Sequence, residues 1–368
     1  MNIIHVLEDY SLMSGGIRTV VKNLHEELIK HNHKSIIISP FDEANDRIIK
    51  PKKTDSVLWK YWGKTKNLNQ IFNEINQKEG KIDVIHVHGV WMHSQYSACR
   101  FSQINKIPYV VSFHGMFEPW LWKKGYIKKK LYFELFTKKY FEKANTLHSI
   151  TPFESSDLKE RFPNTKVYEI PNLIHDFKKH HKHEANGKIK EQYILYLGRL
   201  DPKKGIDLLI QAMSKIEDKN ISLKIAGALN DYSKSLVKLI NNLKLNGRIE
   251  FLGLVKGKEK DDLFRFAKVF VAPSYSEVIG MVNLESAILG TPVITTKQTG
   301  LSENWNENGG ILINPNVKEI IKALNKVLSW SEVERDKNGE SLKTFVREEY
   351  CWEGKFKDWE NLYKSILN

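Results

Sequence analysis

Short apolar runs rich in β-branched residues alternate with longer amphipathic stretches along most of the chain. Apolar runs without polar alternation are typical of strands buried on both faces of a parallel sheet. The amphipathic stretches have apolar positions at helical spacing, as at Val21, Leu24 and Leu28, which would pack one helix face onto a sheet. The predicted strands are residues 3–6, 35–39, 83–87, 109–113, 145–151, 193–197, 223–226, 249–252, 269–272, 292–295 and 310–313. The predicted helices include residues 17–31, 205–216, 232–245 and 262–266.

This regular alternation predicts an α/β fold with two Rossmann-like, doubly wound domains. The 368 residues also exceed what one ordinary core holds. A polar stretch without periodic apolar positions separates the two halves and is predicted to be a linker. We predict an N-terminal domain at residues 1–172, the linker at 173–190, a C-terminal domain at 191–349 and a last helix at 350–368.

The composition predicts a globular protein that works in a reducing compartment. With 41% hydrophobic and 27% charged residues, the chain can bury substantial cores. Cys99 and Cys351 are the only cysteines and lie far apart, which suits a reducing environment. His180, His181 and His183 in the linker lack further ligands at structural-site spacing, so we expect them to be solvated. No secretory signal and no apolar run of roughly 20 residues is present, so we expect a cytoplasmic protein.

The formal charge of +13 implies an anionic partner. Lysines concentrate at residues 120–143, where they are interleaved with aromatic and aliphatic side chains. Lysine next to Trp and Tyr suits an anionic membrane surface, so peripheral contact with the inner face of the cell membrane is one interpretation. The other is a surface helix that packs its apolar face on the domain core and leaves its lysines solvated.

Two glutamates eight positions apart, Glu277 and Glu285, follow the predicted strand at 269–272. Open α/β sheets bind ligands at the carboxyl ends of their strands. Gly280 lies between the glutamates, where the next helix is predicted to begin, and a helix N-terminus attracts an anion. An ionised carboxylate only accepts hydrogen bonds, as sugar and ribose hydroxyls require. The run therefore predicts a site that binds phosphate and polyol together.

This run resembles the E-x7-E motif of the retaining glycosyltransferases of the group-1, or GT4, family. The usual form of the motif is roughly P-S-x-x-E-G-F-G-x-x-x-x-E-A, from which this chain departs at Val278, Ile279 and Ser286. None of the three changes removes a functional group. The family has the GT-B fold, which implies two Rossmann-like domains facing across a cleft and a C-terminal helix that returns to the N-terminal domain.

Arg199 and Lys204 lie in the loop after the predicted strand at 193–197. Their run resembles the family's G-R-L-x-x-x-K-G signature. The resemblance implies that both cations stabilise the leaving diphosphate, whose negative charge grows as the glycosidic bond breaks. The chain has no D-x-D motif for a divalent cation. We therefore expect neither a metal nor a cofactor, and a nucleotide sugar such as a UDP- or GDP-sugar as substrate.

The N-terminal half contributes glycines and histidines at predicted strand ends. Gly15 and Gly16 open the first helix, where backbone N–H groups can approach a phosphate. By resemblance, this loop lies against the donor diphosphate and His114 contacts the donor sugar. His114 has the alternative of a strand-end histidine satisfied by backbone. His88 is an acceptor-side candidate, although either His86 or His88 would also suit a packed core.

The resemblance also implies that the C-terminal domain binds most of the donor. Glu277 would hold the sugar hydroxyls, Glu285 the ribose, and Glu303 would orient the cations. The nucleobase would lie near Val255. The remaining donor contacts are expected at Gly198, Ser274, Gly280, Met281 and Val282.

These motifs together predict a retaining, metal-independent hexosyltransferase. Its acceptor would be a hydroxyl of a glycan or a polyprenyl-diphosphate-linked glycan, in the synthesis of a cell-surface polysaccharide such as O-antigen, capsule or exopolysaccharide. Two alternatives stay open. A sugar-nucleotide epimerase or hydrolase on the same fold would need an added acid/base set. A nucleic-acid-binding protein is suggested by charge alone, without a recognised binding module, so we expect no nucleic acid partner.

Overall fold

The chain folds into two compact units. The computed structural model describes residues 1–10, 16–39, 48–49, 65–117, 125–176 and 192–367. Unit 1 comprises Met1–Asn172 and Phe356–Asn368, and unit 2 comprises Leu173–Lys355. The end of the chain therefore belongs to the same unit as its beginning. Gly15, residues 118–124 of the basic segment and the linker histidines lie outside the described residues.

Unit 1 is a parallel sheet flanked by helices. Its strands are β1 (Asn2–Val6), β2 (Lys34–Ile38), β3 (Ile48–Ile49), β4 (Val84–His88), β5 (Tyr109–Ser112), β6 (Thr146–Ser149) and β7 (Val167–Glu169). Its helices are α1 (Gly16–Lys30), α2 (Thr65–Glu79), α3 (His93–Ile104), α4 (Tyr126–Tyr132), the π-helical turn Phe133–Thr137, α5 (Lys138–Phe141) and α6 (Pro152–Arg161). The strand order is β3-β2-β1-β4-β5-β6-β7, with every pairing parallel.

Unit 2 repeats the architecture. Its strands are β8 (Tyr193–Leu197), β9 (Ser222–Ala226), β10 (Ile249–Gly253), β11 (Val269–Ala272), β12 (Val293–Thr296) and β13 (Ile311–Ile313). Its helices are α7 (Ile206–Met213), α8 (Asp231–Asn242), α9 (Gly257–Phe266), α10 (Met281–Ile288), α11 (Val317–Leu328) and α12 (Glu332–Tyr350), and α13 (Trp352–Ser365) carries the chain back into unit 1. The strand order is β10-β9-β8-β11-β12-β13, again all parallel.

Both sheets reverse their strand order at one point, between β1 and β4 in unit 1 and between β8 and β11 in unit 2. At such a point, the connections leave the sheet in opposite directions and open a crevice beyond the carboxyl ends of the two strands. The loops that follow these four strands therefore occupy the positions where α/β sheets bind ligands.

The α/β architecture predicted from the sequence is confirmed. All eleven predicted strands are present, with ends that differ by at most two residues. The sequence missed β3 and β7, which are two and three residues long. Val167 and Tyr168 on β7 are only partly buried, so this edge strand lacks the apolar run that marks the central strands.

The lysine-rich segment of unit 1 has apolar side chains on two faces. Phe133 and Phe141 are buried in the hydrophobic core of the unit. Ile127, Leu131 and Leu135 are exposed at 79%, 59% and 56% of their surfaces. Core packing therefore accounts for only one of the two apolar faces. Within the described ranges, no helix is long and apolar enough to cross a lipid bilayer.

A glycine contact fixes α12 in unit 2. A Cβ atom added at Gly339 would lie 2.0 Å from the carbonyl oxygen of Gly290, the residue that ends the turn after α10. Two backbones therefore touch where any side chain would separate them. This contact accounts for a glycine within a long helix, where glycine otherwise lowers stability.

We expect Gly339→Ala to destabilise unit 2 by about 2 kcal/mol, because the added methyl group overpacks a backbone contact that cannot yield. The matched control is Ser341→Ala, an exposed position of the same helix, which should change stability by less than about 0.5 kcal/mol. Urea unfolding followed by circular dichroism measures both. Equal stabilities for the two variants would contradict the close packing.

Candidate functional site

The loop between β8 and α7 carries Lys204 in a locked conformation. The Asp201 side chain accepts a hydrogen bond from the Lys203 N–H (3.0 Å) and caps a short 3-10 turn at Pro202–Lys204. Gly205 follows at φ +65°, and a Cβ there would lie 2.2 Å from the Pro273 carbonyl oxygen. Glycine is therefore required on two grounds, and it lets this loop touch the loop after β11.

Glu277 lies in that second loop, which follows β11. Its N–H donates to the carbonyl of Gln298 (3.1 Å), and the Ser274 hydroxyl donates to Oε2 (3.3 Å). The Lys204 ammonium donates to Oε1 in an ion pair whose side chains are 14% and 17% exposed. The two loops are joined again where the Tyr275 N–H donates to the Lys203 carbonyl (2.8 Å). The structure thus brings together Lys204, Glu277 and Ser274, three of the predicted site residues.

Gly280 lets the Glu277 carboxylate approach the start of α10. A Cβ at position 280 would lie 2.9 Å from Oε2 of Glu277 and 2.6 Å from Nδ2 of Asn283. The helix begins at the next residue, Met281, as the sequence predicted, and Met281 and Val282 are half-buried in its first turn. A carboxylate beside free helix N–H groups is electrostatically favourable.

Glu285 lies one turn further along α10 and has a cationic partner. Lys260 of α9 donates to its Oε1 at 2.8 Å, and each side chain is 23% exposed. The sequence did not single out Lys260, because the pair joins two helices and has no short-range spacing signal. The ion pair holds the carboxylate in one orientation while leaving part of it accessible to a ligand.

The other predicted residues of unit 2 surround these two pairs. Gly198 directly follows β8, and a Cβ at Gly227, which directly follows β9, would lie 2.2 Å from the Gly198 carbonyl, so the backbones are in contact just beyond the two strands. Val255 is buried just beyond β10. Arg199 is largely exposed, with its guanidinium 3.7 Å from the Asp201 carboxylate. Glu303 is exposed in a short 3-10 helix, and its predicted orienting role stays a prediction.

In unit 1, the predicted histidines belong to a hydrogen-bonded cluster. His88 ends β4, and its Nδ1 lies 3.0 Å from Nε2 of His114. Its Nε2 lies 3.0 Å from Nδ1 of His5 on β1. His88 is buried with both nitrogens engaged, which leaves no ring nitrogen for an acceptor hydroxyl and matches the packed-core alternative. His114 is half-buried, and Gly16 is exposed at the start of α1.

A second set of hydrogen bonds joins the same sheet to the C-terminal helix. Tyr363 lies 2.8 Å from Nδ1 of His86, and Nε2 of His86 lies 2.6 Å from the Ser112 hydroxyl. That hydroxyl lies 2.7 Å from Nδ1 of His148, whose Nε2 donates to the Ile170 carbonyl (2.9 Å). The cluster therefore stabilises the docking of α13 within unit 1.

Glu154 supports His114 and was missed by the sequence analysis. Its buried carboxylate accepts hydrogen bonds from the N–H groups of Gly115 (2.7 Å) and Ile150 (2.8 Å). His114 itself has φ +53°, an unfavourable region for a residue with a side chain. Such strain persists only where surrounding contacts enforce it and is concentrated at functional sites. The sequence did contain one signal for Glu154. Thr151 and Glu154 have the T-x-x-E spacing of a helix start, and the Thr151 side chain caps α6 by accepting from the Glu154 N–H.

Burial keeps these histidines neutral. It lowers the pKa of His5 and of His114 to about 3, with neighbouring histidines adding to the effect, and that of His148 to about 4. Burial likewise holds the pKa values of His86 and His88 well below the usual range. Near neutral pH, each ring therefore has one donor and one acceptor nitrogen.

Among the residues that the structure describes, one group has the spacing of a metal site. The ring nitrogens of His5, His86 and His88 lie within 4.8 Å of one another. Neutral imidazole is a common ligand of zinc. However, the nitrogens of His86 are engaged with Ser112 and Tyr363, and a His5 nitrogen is bonded to His88. A metal ion here would have to displace these hydrogen bonds.

Comparison with known proteins identifies the family. The family model described as Glycosyltransferase Family 4 matches residues 14–176, and the model described as Glycosyl transferases group 1 matches residues 177–341. The chain belongs to the group-1, or GT4, glycosyltransferases. An uncharacterized glycosyltransferase of Methanocaldococcus jannaschii is 29% identical over 96% of this chain and 95% of its own length.

Solved glycosyltransferase structures share the fold over the full chain. A glycosyltransferase from Rickettsia africae superposes with a TM-score of 0.81 at 19% identity, covering 100% of this chain and 98% of that one. The Anabaena protein HepE, solved with UDP-glucose, gives 0.71 at 16% identity over 99% and 100%. WaaG, a glycosyltransferase involved in lipopolysaccharide biosynthesis, gives 0.63 at 17% over 99% and 98%. The fold of this GT4 protein is therefore GT-B, as predicted.

The neutral histidines of unit 1 make its stability depend on pH. Below about pH 6.5 the unfolded chain binds protons that the folded unit excludes, so the free energy of unfolding should fall as the pH decreases from 6.5 towards 4. Each such histidine contributes up to about 1.4 kcal/mol per pH unit. Urea unfolding at pH 7.5 and 5.0 measures the slope. His148→Gln lacks one titrating group and should show a shallower slope; a wild-type stability that is constant over this interval would contradict neutral burial.

Proposed function

We propose that this GT4 protein is a retaining, metal-independent hexosyltransferase that uses a nucleotide sugar as donor. The observation that carries the proposal is the Lys204–Glu277 ion pair between the loops after β8 and β11, the two strands at which the sheet order reverses. A cation and a carboxylate are thereby presented together at the ligand-binding edge of the sheet. That pairing suits a ligand with both phosphate and hydroxyl groups.

The proposed chemistry uses the opposite charges for different parts of the donor. Lys204, assisted by Arg199, would stabilise the diphosphate as negative charge accumulates on the leaving oxygen. Glu277 would accept hydrogen bonds from the sugar hydroxyls, and Glu285 from the ribose. The departing diphosphate oxygen can take the proton of the acceptor hydroxyl on the same face of the sugar, which retains the anomeric configuration. These positive groups supply electrostatic stabilisation of the kind a divalent cation gives elsewhere.

The donor and acceptor classes are supported by the relatives. HepE was solved with UDP-glucose, and WaaG acts in lipopolysaccharide biosynthesis. We propose a UDP- or GDP-sugar as donor and a glycan or polyprenyl-diphosphate-linked glycan as acceptor, in the synthesis of a cell-surface polysaccharide. A thermal-shift comparison of UDP, GDP and ADP sugars identifies the donor, and NMR of the product gives its anomeric configuration. An inverted product, or epimerised donor formed at turnover rates without acceptor, would contradict the proposed reaction.

We expect Lys204→Ala to lower kcat by about a hundredfold, because a positive charge at the developing negative charge is lost. Lys203→Ala is the matched control, since it removes a neighbouring lysine but keeps the backbone carbonyl that accepts from the Tyr275 N–H, and it should retain kcat within about threefold. Initial rates at saturating donor compare the two. A Lys204→Ala enzyme with the wild-type kcat would remove this lysine from the mechanism.

We also propose that residues 125–143 bind the anionic inner face of the cell membrane, where a lipid-linked acceptor would be found. The exposed stripe of Ile127, Leu131 and Leu135 supports this, because core packing does not use it. Exposed Lys128 and Lys130 lie beside the stripe and complement anionic headgroups. An apolar stripe with flanking lysines suits insertion at the level of the headgroups.

The membrane proposal predicts that Ile127→Ser combined with Leu131→Ser weakens sedimentation with anionic vesicles by at least about tenfold, since two exposed aliphatic side chains leave the bilayer. Lys128→Ser should weaken it by about fivefold and reduce its dependence on salt. The matched control is Ile104→Ser, which removes an equally exposed aliphatic side chain from α3 of the same unit. Binding that ignores the anionic lipid content, or that falls equally in the control, would contradict a membrane role for this segment.

A further inference from the structure

Three histidines of unit 1 form a chain that ends at the proposed sugar-binding residue. His5 on β1, His88 at the end of β4 and His114 beyond β5 are linked through two N···N contacts of 3.0 Å. Consecutive ring planes differ by only 27° and 24°, and their centroids lie 5.2 and 5.3 Å apart. With N···N distances of 3.0 Å, these separations fit rings joined edge to edge, as an N–H···N hydrogen bond requires. The three imidazoles therefore form one hydrogen-bonded chain from the core to His114.

Such a chain has only two neutral arrangements, because each neutral imidazole has one N–H group and one acceptor nitrogen. In the first, protons point inward, from His114 Nε2 to His88 and from His88 Nε2 to His5. In the second, they point outward, from His5 Nδ1 to His88 and from His88 Nδ1 to His114. The choice decides which nitrogen of His114 carries the proton.

The inner end of the chain selects the direction. Nε2 of His5 is buried and has no hydrogen-bond partner among the described residues. In the inward arrangement this atom would be an orphaned N–H group, which folded proteins rarely contain, whereas in the outward arrangement it is an acceptor without a donor, which they tolerate more often. His5 Nδ1–H therefore donates to His88 Nε2, and His88 Nδ1–H donates to His114 Nε2.

A second hydrogen-bonded chain in the same cluster shows how a different inner end determines which nitrogen of each histidine carries the proton. There, the Ile170 carbonyl can only accept, so His148 must carry its proton on Nε2. Ser112 then donates to His148 Nδ1, His86 Nε2–H donates to Ser112, and Tyr363 donates to His86 Nδ1. This chain contains no orphaned group and does not reach His114. The tautomer of His114 thus depends on His88 and His5.

We propose that His5 and His88 are positioning residues that fix the tautomer of His114, so that its Nδ1–H group is offered as a neutral hydrogen-bond donor to the transferred sugar. This inference rests on the proposed function and on the contact with the donor sugar that the family resemblance implies for His114. Nδ1 of His114 makes no hydrogen bond within the described part of the chain, and the side chain is half-buried. The strained backbone at His114, held through Gly115 and Glu154, keeps the ring in line with His88.

The direction of the chain can be reversed by one substitution. In His5→Asp the carboxylate only accepts, so His88 must carry its proton on Nε2, and His114 must then donate to His88 from Nε2. In His5→Asn the side chain has nearly the same shape, but its amide N–H can still donate to His88 Nε2. Both variants lose the imidazole, but only His5→Asp reverses the hydrogen bonds. The difference between them therefore measures the effect of hydrogen-bond direction alone.

Long-range ¹H–¹⁵N correlation NMR of the full-length, ¹⁵N-labelled protein reads the tautomer of each histidine directly. At pH 7.5, His114 should carry its proton on Nδ1 in the wild type and in His5→Asn, and on Nε2 in His5→Asp. The kcat of His5→Asp should fall by about tenfold to a hundredfold with little change in the donor KM, because the lost donor acts mainly on the transition state. His5→Asn should remain within about threefold of the wild type.

The matched control is His25→Asn, which changes a buried histidine of the same unit that is bonded to Ser35 and lies outside the chain. It should alter neither the His114 tautomer nor kcat. If His5→Asp fails to fold, His5→Leu serves instead. It leaves His88 Nε2 without a partner and should give a mixture of His114 tautomers.

Several outcomes would overturn the inference. These are a wild-type His114 protonated on Nε2, a His114 tautomer insensitive to position 5, a kcat unaffected by His5→Asp, or a stoichiometric metal ion that His5→Leu removes. The NMR measurement needs no substrate. If His114 carries its proton on Nδ1 but the protein transfers no sugar, the result would support the direction of the hydrogen bonds and contradict the proposed function.

Discussion

The ion pair between Lys204 and Glu277 is the contact on which the candidate site of unit 2 depends. It joins the loops that follow β8 and β11, the adjacent strands at which the order of the sheet reverses. Gly205 permits a backbone contact with Pro273, and Gly280 leaves room for the Glu277 carboxylate, where in each case a Cβ would intrude. The parallel sheet fixes the starting points of the two loops, and the glycines determine where their side chains meet.

A paired lysine and glutamate also suit a site that must bind a ligand with both phosphate and hydroxyl groups. Two largely buried charges would be unfavourable alone, so each satisfies the other while no ligand is bound. In the proposed reaction, a diphosphate oxygen competes for Lys204 and a sugar hydroxyl competes for Glu277. The donor can then replace the ion pair between Lys204 and Glu277 with two contacts of its own, one from its diphosphate to Lys204 and one from a sugar hydroxyl to Glu277. Lys260 and Glu285 repeat the arrangement one helical turn away, which would extend the same exchange to the ribose.

The sequence predicted the architecture and the residues of the motifs, but not their contacts. Buried parallel strands give continuous β-branched runs, so β1, β8 and β11 could be placed from the printed residues alone. Lys204 and Glu277 could be named because their runs resemble family signatures. Lys260 could not, since its partner Glu285 lies on another helix and the pairing depends on rotamers. For Glu154, the capping signal at Thr151 was available in the sequence, but the contact with the distant Gly115 N–H was not. The exposed stripe at Ile127 and Leu131 was also ambiguous, because only the fold shows that Phe133 and Phe141 face the core instead.

The histidine cluster of unit 1 shows how a polar core can remain specific. A buried imidazole is tolerated when both nitrogens are satisfied, and a chain of such rings has a direction that its ends determine. One chain begins at Tyr363 of the C-terminal helix and terminates on the Ile170 carbonyl, so it serves docking within unit 1. Within the described ranges, the other hydrogen-bonded chain has an unsatisfied inner nitrogen at His5 and an outer nitrogen at His114 without a hydrogen-bond partner. In the proposed direction, the outer N–H group of the second hydrogen-bonded chain is available to a ligand. The first hydrogen-bonded chain ends on protein groups on both sides, as expected of a structural one.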